Sequence, residues 1–319
     1  MMSFLSALPG AAAQGIIWGI MAIGVYITFR VLDIADLTVD GSFGTGGAVL
    51  VMCTISGMNI YLAMLLAFLA GCLAGLATGI FHTVFGIPAI LAGILTQLAL
   101  YSINLRILGG KANQTVSARN YKLIVSLGEI NKSLIVGLVF SVVIIAILYW
   151  FFGTELGHSI RATGNNQAMA RANGINTNIN KIIGLVLSNG LVALAGALLS
   201  QYQGFADVNA GSGMVMIGLA SVILGELFGT HRSVTAGLVF TVIGSVLYRV
   251  VVQAALTVNL MDSNALKLVT AVIVALFMSM PAIRAYFASR KERAAARQAA
   301  QELAASALTN SLTDASSDT

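Results

Sequence analysis

GSFGTGGAVLVMCTISGMNIYLAMLLAFLAGCLAGLATGIFHTVFGIPAILAGILTQLALYSINL, residues 41–105, contains no Asp, Glu, Lys or Arg. One membrane crossing takes about 20 apolar residues, so this stretch alone has room for two or three helices. Residues 1–29 are likewise free of charge. Across all 319 residues, 58% are hydrophobic and 9% charged, where soluble domains carry about 25% charged residues. These proportions exclude a soluble enzyme and predict an all-α polytopic membrane protein.

Cutting the chain at charges, prolines and polar clusters leaves nine apolar segments, near 10–29, 42–58, 60–80, 82–105, 133–152, 182–203, 213–229, 234–256 and 266–283. Some are too short to span, and non-helical backbone at membrane depth is tolerated only where it is buried or lines a cavity. The expectation is therefore about eight to ten transmembrane or re-entrant helices. The Ala11–Ala13 patch has no basic segment before it and an apolar run after it, so it reads as the start of a first membrane helix rather than as a cleavage site. Residues 1–283 form the membrane domain. Residues 284–319 read as a basic cytoplasmic helix, with Arg284, Arg290, Lys291, Arg293 and Arg297, that decays into a disordered Ser, Thr and Asp tail.

The net charge of +5 does not imply nucleic acid, because the basic residues lie between apolar runs, where they orient the chain in its bilayer. The loop 153–181 holds Arg161, Arg171 and Lys181 against Glu155, and positive-inside ordering puts it in the cytoplasm with the tail. The same count places the N-terminus and the loop 106–132 outside, although that loop carries Arg106, Lys111, Arg119, Lys122 and Lys132. Cys53 and Cys72 sit inside apolar segments without metal-ligand spacing, so no metal site is expected. Gly71, Gly75 and Gly79 line one helix face, a pattern that lets membrane helices approach closely.

Chemical motifs are missing. No Walker sequence is present, since GGK at Gly109–Lys111 lacks both the earlier glycine and the following hydroxyl. His82, His158 and His231 fall in separate segments without HExxH, and there is no GxSxG elbow. The chain is expected to be non-catalytic and to hold no cofactor of its own.

The most informative loop is ELGHSIRATGNNQAMARANGINTNINK, Glu155–Lys181. Asn165 or Asn166 is a good N-cap, Gln167–Asn173 a short helix, and Gly174 sits where a left-handed C-cap belongs. Its Gly157, Arg161-Ala162, Gly164-Asn165, Ala168, Arg171-Ala172 and Gly174-Ile175 resemble the loop of permease subunits in binding-protein-dependent ABC importers of the branched-chain amino acid and ribose permease family. Three further stretches are similar to that family: LVALAGALLSQYQGFADVNAGSG (Leu191–Gly213), DLTVDGSFGTGG (Asp36–Gly47) and LAGLATGIFHTVFGIPAILAGILT (Leu73–Thr96). The resemblance runs from about residue 14 to 283. It departs at Gly225-Glu226, where many relatives read Gly-Gly.

The resemblance implies a subunit of an ATP-driven importer in the bacterial inner membrane. It would work as a pair of permease copies, a homodimer by preference, with separate ATPase subunits that bind ATP and an extracytoplasmic solute-binding protein. The solute is expected to be small, an amino acid in preference to a sugar or nucleoside. Arg161, Gly164, Asn165, Asn166, Ala170, Arg171 and Gly174 would then couple to the ATPase, with Arg171 either pairing with an acidic residue there or simply solvated. Lys111, Arg119 and Lys122 would meet acidic lobes of the binding protein.

Asp33, Asp36 and Asp40, with Thr38, Ser42 and the glycines 41–47, predict either a helix break near the cytoplasmic mouth of the path or a plain interfacial loop. Glu226 is an intramembrane carboxylate that needs a partner, and Arg249 and Arg232 are the nearest cations in sequence. Asp36, Thr38, Asp40, Ser42 and Glu226 are thus candidates for the path or its gate, with a structural ion pair or an interfacial position as the alternative for Glu226. The rival reading is a stand-alone secondary transporter or channel. It calls for more intramembrane charge than this chain offers and leaves the capped loop helix without a purpose.

Overall fold

A computed structural model describes residues 2–117, 121–228, 233–257 and 271–279. Helix α1 (Met2–Tyr26) continues into a π-helical turn, Ile27–Val31, and is followed by α2 (Thr38–Ile55), α3 (Ile60–Thr83) and α4 (Ala89–Ile107). A three-residue strand β1 (Asn113–Thr115) precedes α5 (Ile130–Phe152), and two short helices, α6 (Glu155–Asn165) and α7 (Gln167–Ala172), lead to α8 (Thr177–Gln203). Strand β2 (Phe205–Asp207), α9 (Met214–Phe228) and α10 (Val234–Thr257) follow. Residues 271–279 are helical.

Seven helices are long and apolar enough to cross a bilayer, and α9 is a shorter apolar helix. At about 1.5 Å per residue α9 spans only about 22 Å, less than the hydrocarbon core of about 30 Å. Eight of the nine apolar segments in the sequence thus correspond to described helices. Of the last, 266–283, residues 271–279 are described. The predicted basic helix and tail, 284–319, lie outside the described residues.

Helix α8 is largely buried and packs against α3, α2 and α1. Small residues make this packing possible. A Cβ on Gly71 or Gly75 would collide with backbone carbonyls of Asn189 and Leu185, and one on Gly79 would lie 3.1 Å from Ile182 Cγ1. The glycine row on α3 is therefore a seam within the chain, closed by α8. From the other side, Gly46 meets the backbone of Ala193, and Gly196 meets that of Phe43. Lipid offers no hydrophobic drive for helix association, so close backbone packing of this kind supplies it.

The predicted break in the Asp33–Gly47 stretch is real but falls earlier than its glycines suggest. The non-helical segment is 32–37, where Asp33 adopts φ +55°, while Ser42 and glycines 41–47 are helical within α2. The glycines serve approach to α8 and α4, and the turn is made by Asp33 and the residues around it.

Strands β1 and β2 pair antiparallel, Asn113 opposite Asp207. Val116, just after β1, and Ala206 of β2 pack with Ala48, Val51, Leu108 and Val208 into a small apolar cluster. Because β2 follows the C-terminal end of α8 and α7 precedes its N-terminal end, the strand pair and the α6–α7 loop lie on opposite faces of the bundle. The structure thus puts the basic loop 106–132 opposite the loop 153–181, as the count of segments predicts.

Candidate functional site

The break between α1 and α2 reaches far into the bundle. Asp36 is buried; one carboxylate oxygen accepts the Thr38 backbone N–H at 2.9 Å and the other accepts Nδ2 of Asn189 at 2.7 Å. The first bond caps α2, where a carboxylate also meets the positive end of the helix dipole. Asn189 lies about 18 Å along α8 from its first residue, at about 1.5 Å per residue, which is near the middle of the bundle. Its amide oxygen accepts the Ser42 hydroxyl at 2.7 Å. Beside this triad the hydroxyls of Thr38, Thr78 and Thr96 form a chain with spacings of 2.6 and 2.8 Å, tying α2 to α3 and α4. Asp36, Thr38 and Ser42 therefore belong to one polar core shared by four helices, and each of these side chains has a partner.

Asp40 does different work. Its carboxylate accepts the backbone N–H groups of Gly213 and Val215, both at 2.9 Å. It thereby caps the N-terminus of α9 from a separate helix. The chain after β2 runs back inward, and Gly211 packs against the Asp40 carbonyl so closely that no side chain fits there. Helix α9 thus starts inside the bundle.

Its other end carries Glu226. The sequence pointed to Arg249 or Arg232 as its partner, but the structure corrects this: Arg30 Nε lies 2.8 Å from Glu226 Oε1. Arg30 sits on the π-helical turn that ends the first span, and the extra residue of that turn re-aims side chains. Arg249 instead bonds to Gln14, and Arg232 lies outside the described residues. The Arg30 and Glu226 side chains are 46% and 23% exposed, so the pair sits at the mouth rather than in the dry interior. An open cleft of about 830 Å³ lies there, lined by Tyr26, Arg30, Asp33, Arg161 and Gly164 among others.

The loop on this face forms as its sequence predicts, with one addition. Asn166 caps α7 by accepting the Met169 N–H at 3.0 Å, and Gly174 closes it at φ +78°. The addition is α6, capped by Thr154, which accepts the Gly157 N–H at 3.3 Å. Arg161, Asn165, Asn166, Arg171 and Gly174 are exposed, whereas Ala170 is buried and Gly164 abuts the Val31 carbonyl at the end of the π-helical turn. Arg171 Nε donates to the Thr177 hydroxyl at 2.9 Å, which fixes its stem against the start of α8. Met169, 64% exposed, is the large apolar side chain that α7 presents. The same face carries His82. Its Nδ1 must hold the proton, because it bonds to the Ile87 carbonyl at 2.9 Å, and Nε2 then accepts from Lys181 at 3.4 Å.

On the opposite face Lys111 and Lys122 are exposed near the strand pair, and Arg119 lies outside the described residues. No group of three His, Cys, Asp or Glu side chains suited to a metal ion occurs among the described residues.

Sequence reasoning missed Asn189, Arg30, Thr78 and Thr96. Asn189 carries a signal in retrospect, being an amide in the middle of an otherwise apolar helix. Arg30 carries less, because it reads as a helix-end cation.

The family model described as "Branched-chain amino acid transport system / permease component" matches residues 8–285. The tyrosine transport system permease protein of Clostridioides difficile is 37% identical over 275 residues, 86% of this chain and 91% of that protein. The autoinducer 2 import system permease protein of Escherichia coli is 28% identical over 214 residues, 65% of this chain and 60% of that protein. Among solved structures, PsaBC from Streptococcus pneumoniae in complex with Fab has a TM-score of 0.51 at 15% identity, over 88% of this chain and 96% of that one. That likeness is one of fold.

Proposed function

The chain belongs to the permease-component family of branched-chain amino acid transport systems, and we propose that it forms the membrane path for an amino acid or a related small solute. It is a multi-pass, non-catalytic permease of an ABC-type import system in the bacterial inner membrane. In this reading an extracytoplasmic binding protein delivers the solute to the face of β1 and β2, where Lys111, Arg119 and Lys122 steer its docking. A second permease copy completes the path, and a separate ATPase supplies ATP hydrolysis. An amino acid is favoured because the relative from Clostridioides difficile is a tyrosine permease.

The observation that carries the reading is α7: a capped, exposed helix too polar to span, seated by α6 against the π-helical turn of the first span. Closure of the ATPase pushes α7, α6 bears on Val31 through Gly164, and the turn that holds Arg30 moves relative to Glu226. The Arg30–Glu226 pair then acts as the inner latch. Asp36, Thr38 and Ser42 hold the break around which α2 pivots, and Asp40 carries α9 with it.

Co-purification with the ATPase tests the coupling role. Met169→Glu and Arg171→Glu change exposed side chains, so melting temperature in detergent should stay within a few degrees. Recovery of the ATPase should fall about tenfold, the equivalent of about 1.4 kcal/mol. Undiminished recovery with both variants overturns it.

A further inference from the structure

Arg30 is matched by a carboxylate, whereas Arg249, in the other half of the bundle, has none among the described residues. Arg249 lies on α10 about 12 Å before its last residue, at about 1.5 Å per residue, against α1 on the side of the β1–β2 pair. Its Nε donates to Oε1 of Gln14 at 2.7 Å, and its Nη2 donates to that same oxygen. The guanidinium lies 4.4 Å from the centroid of the Trp18 ring, which stacks on Tyr248 with centroids 6.4 Å apart. No carboxylate among the described residues forms an ion pair with Arg249.

Among the described residues the donors outnumber the acceptors. A guanidinium has five N–H groups and cannot be deprotonated, and Gln14 Oε1 is the acceptor that the described residues give it. The Trp18 indole N–H in the same cluster is buried with no acceptor among the described residues. A cation–π contact accounts for the seat of the guanidinium on the ring but provides no lone pair for the remaining N–H groups. Cations within membrane spans pair with anions or with carbonyl oxygens, and an oxyanion would take the N–H groups that the Gln14 oxygen leaves.

We infer that Arg249, seated by Gln14 and Trp18, is an oxyanion-binding site in the outer half of the bundle. The anion is a carboxylate carried by a passing solute or the phosphate of a lipid headgroup. The site itself does not depend on the transport reading. That reading bears only on which anion arrives.

Trp18 and Trp150 are the two tryptophans of the chain. Trp150 is 71% exposed, so Trp150→Phe leaves Trp18 as a fluorescent reporter beside Arg249. The full chain in phospholipid-free maltoside micelles is titrated with acetate, with neutral acetamide as control, and separately with phosphatidylglycerol. We expect a saturable change in Trp18 emission with acetate and none with acetamide. Arg249→Gln should raise the half-saturating concentration at least about tenfold, and Arg249→Lys should raise it less. A response to phosphatidylglycerol but not acetate upholds the site and assigns the anion to lipid. If Arg249→Gln does not fold, the acetate titration of the Trp150→Phe chain and of its Arg249→Lys derivative decides. A response to neither anion, or one equal in the charge-removing and charge-keeping variants, overturns it. Failure here would leave the transport reading untouched, because no step of the assay requires the ATPase or solute movement.

Discussion

Asp36 and Asn189 show what a single pair decides in this bundle. The carboxylate takes one N–H from its own turn and one from the centre of α8, so removing Asn189 strands a buried oxygen. Asn189→Leu should destabilise the chain by about 1–3 kcal/mol, read as a lowered melting temperature in detergent; an unchanged melt would mean that the pair adds nothing. Arg30 and Glu226 are partly exposed, and exposed pairs contribute about 0.2–1 kcal/mol, so their value lies in position. Arg30→Glu and Glu226→Arg alone should each lower uptake at unchanged expression. The double swap should recover most of it, and a double variant as poor as its parents would remove the latch from the mechanism. At this scale the sequence was a partial guide. Glu226 stood out as a carboxylate in an apolar run, but its partner is nearly two hundred residues away in sequence, and only the packing of α9 on α1 brings them together.

Among the elements, those set by local chemistry were legible and those set by tertiary contact were not. The cap of α7 is visible in Asn166, three residues before the N–H that it accepts, and in Gly174, whose positive φ suits glycine. Asn166→Ala should therefore cost about 1 kcal/mol and appear as faster hydrogen exchange over 167–173; unchanged exchange would contradict the cap. The glycines 41–47 misled the placement of the break, because a glycine that admits another backbone looks the same in sequence as one that ends a helix. Their steric role is testable. Gly46→Ala places a methyl group in the backbone of Ala193 and should destabilise by at least about 1–3 kcal/mol. Gly128→Ala meets nothing nearer than 3.8 Å and should leave the melting temperature almost unchanged. Equal effects of the two would refute the close α2–α8 seam. Helix α6, ELGHSIRATGN, is hidden in the sequence because it carries two glycines and is mostly polar, so that its short apolar stripe reads as part of a loop.

Across the whole molecule, the distribution of few charges gave the membrane class and the two-faced arrangement, and four stretches in order gave the family. The faces have separate tasks in this account: the basic strand-pair face receives the binding protein, and the α6–α7 face receives the ATPase. Reversing Lys111, Arg119 and Lys122 together should weaken binding-protein affinity several-fold at low salt and much less at high salt, since exposed charges are screened. Affinity unchanged at low salt would remove that role. The central claim is that this chain transports only as part of an ATP-driven assembly. Uptake of labelled solute into proteoliposomes tests it most directly, with the permease alone and with its ATPase, binding protein and ATP. The account predicts accumulation in the complete system and none with the permease alone; ATP-independent uptake by the permease alone would contradict it.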